Sequence, residues 1–338
     1  MNIAISLDKN FLRVGYVMLT SLFMNHKESD VSVYVLYRGL EEGDFLPYHN
    51  LAQKFGKNLY LLNVPENMIP SSLPVSDKWP SEIYFRLALP YLLPDEERIL
   101  YLDTDIIINN DLSELYNLPF DASADGPESL LFYAAPDNSD GNLSEKQCEL
   151  FGDLLNDPDF HYANSGVLLM NLEGIRDEFK ITDITGFIEK NRRLLTAFDQ
   201  DTINYLFNGR IGFLPHEKYN LFARLYHNSG YTYDKVREKG TCIIHYTGPK
   251  PWSGESLRTD MEKFWWEYAK ETPYYHEFME QSLFTEMNKN YENTNEFLYQ
   301  LYLLQEAENR ESALREREKE YISLLNESSA LLEKLGIK

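Results

Sequence analysis

Residues 99–109 read ILYLDTDIIIN. Four apolar or aromatic residues lead into two aspartates separated by one threonine, and three isoleucines follow. A short apolar run of this kind reads as a buried strand. Two carboxylates set into it are costly unless something offsets their charge. Strand periodicity puts Asp103 and Asp105 on one face. A single divalent cation would compensate both there, and carboxylate oxygens suit Mn or Mg. A strand-end turn with exposed aspartates produces the same letters, since a bare D-x-D is common. The apolar strand immediately before it favours the cation site.

Working outward, strand-like and helix-like segments alternate. Residues 2–7, 31–37, 58–64 and 99–102 read as strands, and 11–24, 41–55 and 83–93 as helices. The 11–24 segment is apolar on all sides, as a buried helix requires. This β-α-β-α order predicts an α/β fold, a mostly parallel doubly wound sheet with helices on both faces. Ligands in such sheets collect at the carboxyl ends of the strands. The middle is less regular: 121–128 and 136–142 are polar and turn-rich, 165–171 is a strand, 199–207 a helix and 242–246 a short strand.

The tail differs in kind. No proline follows Pro273, and no glycine follows until Gly336, so 274–334 is free to be helical. Leu314, Tyr321, Leu324, Leu331 and Leu335 fit a heptad that Glu311, Glu318 and Ser328 interrupt. The expected organisation is a catalytic domain over 1–272 and a helical extension over 273–338. The extension reads either as a solvated helix against the domain or as a surface for self-association or partner binding.

Composition excludes several classes. With 32 Lys+Arg against 54 Asp+Glu, the net charge is −22. Such a surface repels phosphate backbones and anionic lipid, so nucleic-acid binding is not expected. Two cysteines, Cys148 and Cys242, make neither a disulfide framework nor a Cys-rich zinc site. No apolar run is long enough to span a bilayer. The first ten residues lack the pattern of a signal peptide, so a cytoplasmic location is expected. No G-x-G-x-x-G follows the first strand, which disfavours a dinucleotide-dependent oxidoreductase.

Two further segments carry chemistry-bearing residues. In IIHYTGPKPW, 243–252, His245 ends an apolar strand, Gly248 opens a Gly-Pro turn, and Lys250 follows. A lone histidine there is a ligand or a satisfied core imidazole. Imidazole, glycine and cation in one loop together suit a metal ligand beside a phosphate-neutralising lysine. In AFDQDTIN, 197–204, Asp199 and Asp201 bracket Gln200 at a helix start. They read as a helix cap or as acceptors for sugar hydroxyls. Asp8 and Asn10 follow the first strand, Asp137 follows LLFYAAP, and Asn164 precedes SGVLLMN; each is also a common turn former. Arg86, in IYFRLALP, is a cation among apolar residues and is either snorkelling or paired.

Six segments, in order from residue 2 to about 252, resemble the family 8 retaining glycosyltransferases, the group of bacterial lipopolysaccharide galactosyltransferases and glycogenin. They are NIAISLDKNF, YFRLALP, LYLDTDIII, YANSGVLLMNL, FDQDTIN and HYTGPKPW. The last is one residue shorter between Gly-Pro and Lys than is usual for the family. The resemblance implies a GT-A domain that takes UDP-galactose or UDP-glucose as donor. It implies that Asp103, Asp105 and His245 hold Mn, with Thr104 beside the donor and Lys250 on its phosphates. Asp8 and Asn10 would contact uridine. Arg86, Asn164, Asp199 and Gln200 would surround the sugar, with Asp137 and Gly248 nearby. Retention would proceed either through a carboxylate, with Asp201 the candidate next to Gln200, or by same-face attack, which is favoured. The acceptor would be a glycan or a glycosylated protein. A self-glucosylating primer enzyme and a non-catalytic GT-A scaffold are the alternatives.

Overall fold

A computed structural model describes residues 1–76, 79–121, 129–137, 143–226, 232–253 and 259–289, and helical residues scattered between 305 and 322. The chain forms two compact units, Met1–Met279 and Glu280–Lys338.

The first unit holds strands β1 (Asn2–Leu7), β2 (Ser32–Tyr37), β3 (Asn58–Asn63), β4 (Arg98–Leu102), β5 (Ile106–Ile108), β6 (Phe132–Pro136), β7 (Ala163–Asn171), β8 (Ile211–Phe213), β9 (Leu221–Phe222) and β10 (Ile243–His245). A seven-stranded sheet has the order β3-β2-β1-β4-β7-β6-β8. It is parallel throughout except for β7, which runs against both of its neighbours. The doubly wound, mostly parallel sheet expected from the sequence is therefore present.

Alternation along the strands builds a core on each face. Ile3, Ile5, Leu7, Val33, Val35, Leu100 and Leu102 share one cluster. Ala4, Leu36, Ile99, Tyr101, Leu168 and Met170 belong to the other. The helix Leu12–Asn25 is buried along most of its length because it lies between two layers. Met18, Leu19, Leu22 and Phe23 pack with the large sheet. Val14 and Val17 pack with Ile107 and Ile244 of a smaller sheet, β5-β10-β9, and with Trp265 of the helix Glu262–Ala269.

The aspartates of LYLDTDIII correct one expectation. β4 ends at Leu102 and β5 starts at Ile106, so Asp103, Thr104 and Asp105 occupy a turn, not a strand face. The chain leaves the large sheet through this turn and enters the small one. Asp103 N donates to Gly166 O of β7 (2.8 Å), and Tyr246 N donates to Asp105 O just beyond β10 (3.0 Å). Backbone bonds to both sheets, not period-two alternation, aim the two carboxylates to one side.

Residues 122–128 and 138–142 of the two turn-rich segments lie outside the described residues. The 41–55 and 83–93 segments each begin as a 3₁₀ turn, Glu42–Phe45 and Ser81–Tyr84, before their α-helices. Cys148 and Cys242 are free thiols. Among the described residues, no helix is long and apolar enough to cross a membrane. A helix runs over Tyr275–Lys289. In the second unit the described residues 305–322 are helical, with a Glu306–Arg310 ion pair at i,i+4 and with Leu314 and Ile322 exposed. Tyr321, Leu324, Leu331 and Leu335 of the heptad lie outside the described residues.

Candidate functional site

A cleft of about 480 Å³ opens where β1 and β4 end and β7 begins. Asp8, Arg86, Asp103, Thr104, Asp105, Asp137, Asn164, Asp199, Gln200, His245, Gly248 and Lys250 all line it. They arrive from segments spread over more than two hundred residues, brought together by the strand ends. Two of the residues singled out from sequence are not on its wall. Asn10 is exposed, and its backbone N–H donates to Asp8 Oδ1 (2.8 Å). Asp201 is fully buried.

Asp103, Asp105 and His245 offer three ligand atoms within 4.8 Å of one another. His245 Nε2 lies 3.1 Å from Asp105 Oδ1. Lys250 Nζ donates to Asp105 Oδ2 and to Tyr246 O. Burial raises the Asp105 carboxyl, but Lys250 and then His245 outweigh it, leaving it well below the usual carboxylate range. Gly248, at the turn carrying Lys250, has φ +86°, the left-handed region that favours glycine.

Gly166 lets this group close. A Cβ there would overlap His245 Cε1 and stand 2.8 Å from Asp103 Oδ2. Asn220, fully buried, places its Oδ1 2.8 Å from His245 Nδ1.

On the other side of Asp103, Arg86 is 4 % exposed and lies over the Tyr101 ring. Its Nη2 donates to Asp103 Oδ1 (2.8 Å), and its Nη1 donates to Ser165 O. Its Nε is 3.2 Å from Asp199 Oδ2, but that N–H is directed at Ile83 O (3.0 Å). Asp199 Oδ2 is therefore ion-paired yet buried without a hydrogen bond. Burial raises the Asp199 carboxyl to about 6, with Arg86 opposing and Asp103 adding to the shift. The paired reading of Arg86 is the correct one.

In the AFDQDTIN segment Asp201 holds the backbone ahead of the helix, while Asp199 and Gln200 line the cleft. Asp201 Oδ2 accepts from the backbone N–H groups of Thr196 (2.7 Å) and Ala197 (2.8 Å). Its Oδ1 accepts from Tyr162 OH (2.5 Å) and Gln147 Nε2 (2.8 Å). These four bonds clamp the turn before the helix Phe198–Leu206. In that turn Phe198 has φ 41°, and among the described residues no other non-glycine has positive φ. Such a backbone persists only where its surroundings over-determine it. Here it directs Asp199 and Gln200 into the cleft. Gln200 Oε1 accepts from Ser165 N (3.0 Å) and Asn164 Nδ2 (3.1 Å), and Gln200 Nε2 donates to Asp137 Oδ2 (3.2 Å).

The charge balance of the wall is decisive for what it can bind. Among the described residues of the wall, six carboxylates, those of Asp8, Glu82, Asp103, Asp105, Asp137 and Asp199, face three cationic side chains, Arg86, Arg224 and Lys250. An anionic phosphate ligand would be repelled unless a divalent cation joined it. Two carboxylates and an imidazole suit Mn or Mg, so the residues present fit such an ion. Sequence reading had not marked Gly166, Asn220, Arg224 or Trp79. Trp79 lines the cleft and is 44 % exposed.

The fold and this cleft define an α/β protein with a polar, cation-suited site at its strand ends. The chain belongs to glycosyl transferase family 8, whose pattern matches residues 2–256. It is 27 % identical to a lipopolysaccharide 1,2-glucosyltransferase of Escherichia coli K12 over 259 residues, 75 % of this chain and 72 % of that protein. It is 25 % identical to a lipopolysaccharide 1,3-galactosyltransferase of Salmonella typhimurium over 258 residues, covering 74 % and 72 % respectively. The galactosyltransferase LgtC, solved with donor and acceptor sugar analogues, superposes with a TM-score of 0.65 at 21 % identity, covering 81 % of this chain and 96 % of LgtC. The architecture is the GT-A fold that the sequence motifs implied.

Proposed function

We propose that this glycosyltransferase moves a hexose, galactose or glucose, from a UDP-sugar to a glycan or glycosylated acceptor, with Mn bound by Asp103, Asp105 and His245. One observation carries the reading: three converging metal-ligand atoms share a cleft with a buried Arg86–Asp199 pair and the Gln200 amide. The curated relatives named above transfer glucose or galactose by their names, which supports a hexose donor.

Breaking the anomeric C–O bond leaves charge on a diphosphate and an oxocarbenium-like sugar. The bound cation would supply Lewis-acid stabilisation of that leaving group. Lys250 would neutralise phosphate oxygens from the turn after β10. Asp8 would face the uridine side, with Asn10 acting through the turn it forms. Asp199 Oδ2, buried without a hydrogen bond, suits acceptance of a sugar hydroxyl. Asn164, Asp137 and Gln200 would hold the remaining sugar hydroxyls. Trp79 offers an apolar ring face to the acceptor.

Same-face attack is favoured over a covalent route through Asp201. Both Asp201 oxygens already accept two hydrogen bonds, and the side chain is fully buried behind the wall. It has no free lone-pair direction with which to reach a sugar. The test is transfer from a panel of UDP-sugars with Mn or with EDTA, read by NMR. One sugar transferred with retention, dependent on Mn and lost in Asp103→Ala, is the expected outcome. No Mn-dependent UDP binding by calorimetry would overturn the reading and return weight to a scaffold role.

A further inference from the structure

Asn220 is not one of the cleft-lining residues, and its sequence context, KYNLF, announces no chemistry. It ends the short helix His216–Tyr219 and leads into β9. Its amide lies between two groups of the site, and its orientation follows from a backbone group that cannot flip. Gly166 N–H donates to Asn164 Oδ1 (3.0 Å), so that atom is the oxygen. Asn164 Nδ2 accordingly faces Asp137 Oδ2 (3.1 Å), an acceptor. Asn164 Oδ1 also receives Asn220 Nδ2 (2.9 Å), which fixes the Asn220 amide. Asn220 Oδ1 then faces His245 Nδ1 (2.8 Å) and demands a proton there.

We infer that Asn220 is a positioning residue that holds neutral His245 in its Nδ1–H tautomer, leaving the Nε2 lone pair for the cation. The inference rests on the metal reading of Asp103, Asp105 and His245 given above. Without Asn220 the neutral imidazole has a better alternative. Its Nε2–H would donate to Asp105 Oδ1, now 3.1 Å away, and tie two ligands to each other. Partners behind a metal-bound histidine set its tautomer and ring orientation, and losing them typically lowers metal affinity about 10- to 100-fold. The same amide ties the cation side of the cleft to Asn164, so one backbone N–H at Gly166 orders three side chains.

Two measurements test this. Long-range ¹H–¹⁵N correlation spectra of the metal-free protein, taken where the imidazole is neutral, should give His245 as Nδ1–H. The resonance is assigned by its absence in His245→Ala. In Asn220→Leu the spectrum should change to Nε2–H, and Mn affinity by titration should fall about 10- to 100-fold. Asn220→Asp keeps an acceptor facing Nδ1 but loses the donor to Asn164 Oδ1, so it should retain the Nδ1–H signature while losing part of the affinity. An Nε2–H tautomer in the wild type overturns the inference without any variant. An Nδ1–H signature that persists in Asn220→Leu also overturns it, by reducing Asn220 to a packing role. If the wild type shows Nδ1–H but binds no Mn, the metal reading fails while the tautomer assignment stands.

Discussion

Gly166→Ala puts the smallest possible side chain at the point where the site is tightest. The added carbon would overlap His245 Cε1, stand 2.8 Å from Asp103 Oδ2 and 3.1 Å from Asn164 Oδ1, where ordinary contact begins at 3.4 Å. Neither side can yield freely. Gly166 is in β7, hydrogen-bonded between β4 and β6. His245 is at the end of buried β10, with its ring tied to Asn220. Asp103 would have to withdraw by roughly half an ångström and the imidazole by more, which moves two of the three ligand atoms together. Disturbing a ligand's support alone costs about 10- to 100-fold in metal affinity, or about 1.4 to 2.8 kcal/mol. Fold stability should also fall by about 1–3 kcal/mol through overpacking. Gly174→Ala provides the control. Its Cβ would also crowd its neighbours, though less, standing 2.9 Å from both Asn171 Nδ2 and Leu131 Cδ2, outside the cleft. Free Mn followed by electron paramagnetic resonance should report at least tenfold weaker binding in Gly166→Ala and unchanged binding in Gly174→Ala, with both variants destabilised. Mn affinity within threefold of wild type in folded Gly166→Ala would refute the packing argument.

Removing one partner of the buried ion pair, Arg86→Met, should cost about 3–5 kcal/mol in urea unfolding, because Asp103 and Asp199 lose their shared cation. Asp201→Asn should cost about 2–4 kcal/mol, since an amide cannot accept from all four donors. The fraction that folds should still transfer sugar with retention, and complete loss of transfer in well-folded protein would reinstate a direct role for Asp201. Asp199 binds its proton more tightly in the folded chain, up to about 6, than unfolded. The folded state therefore loses stability as pH rises from about 4 to 6, by on the order of 3 kcal/mol, and Asp199→Asn should abolish that slope in the metal-free protein. Trp79→Ala should raise the acceptor KM about tenfold while leaving the donor KM near wild type, as steady-state kinetics would show.

The parts of the site that were legible in the sequence are those whose residue type conflicts with its surroundings. Asp103 and Asp105 stand out because charge interrupts an apolar run, and Arg86 because it sits in IYFRLALP. The reason for their convergence was misread, since alternation within a strand cannot reveal that the chain changes sheets between Leu102 and Ile106. Asn220 and Gly166 were invisible for a different reason. An asparagine after a helix and a glycine in a strand are ordinary locally, and their importance lies in contacts with residues 25 and 79 positions away. Asp199 and Asp201 show the limit most clearly. They are two residues apart in one helix start, yet one faces the cleft and the other clamps the backbone behind it.

The central claim is that these residues form a cation-dependent UDP-sugar site, and the most direct measurement is calorimetric titration of UDP into the metal-free protein, into protein with Mn, and into Asp105→Asn with Mn. The cleft's excess of carboxylates predicts no measurable binding without Mn, clear binding with it, and loss of that binding in the variant. UDP binding of equal strength with and without Mn, or binding unchanged in Asp105→Asn, would contradict the assignment of Asp103, Asp105 and His245 as the metal centre.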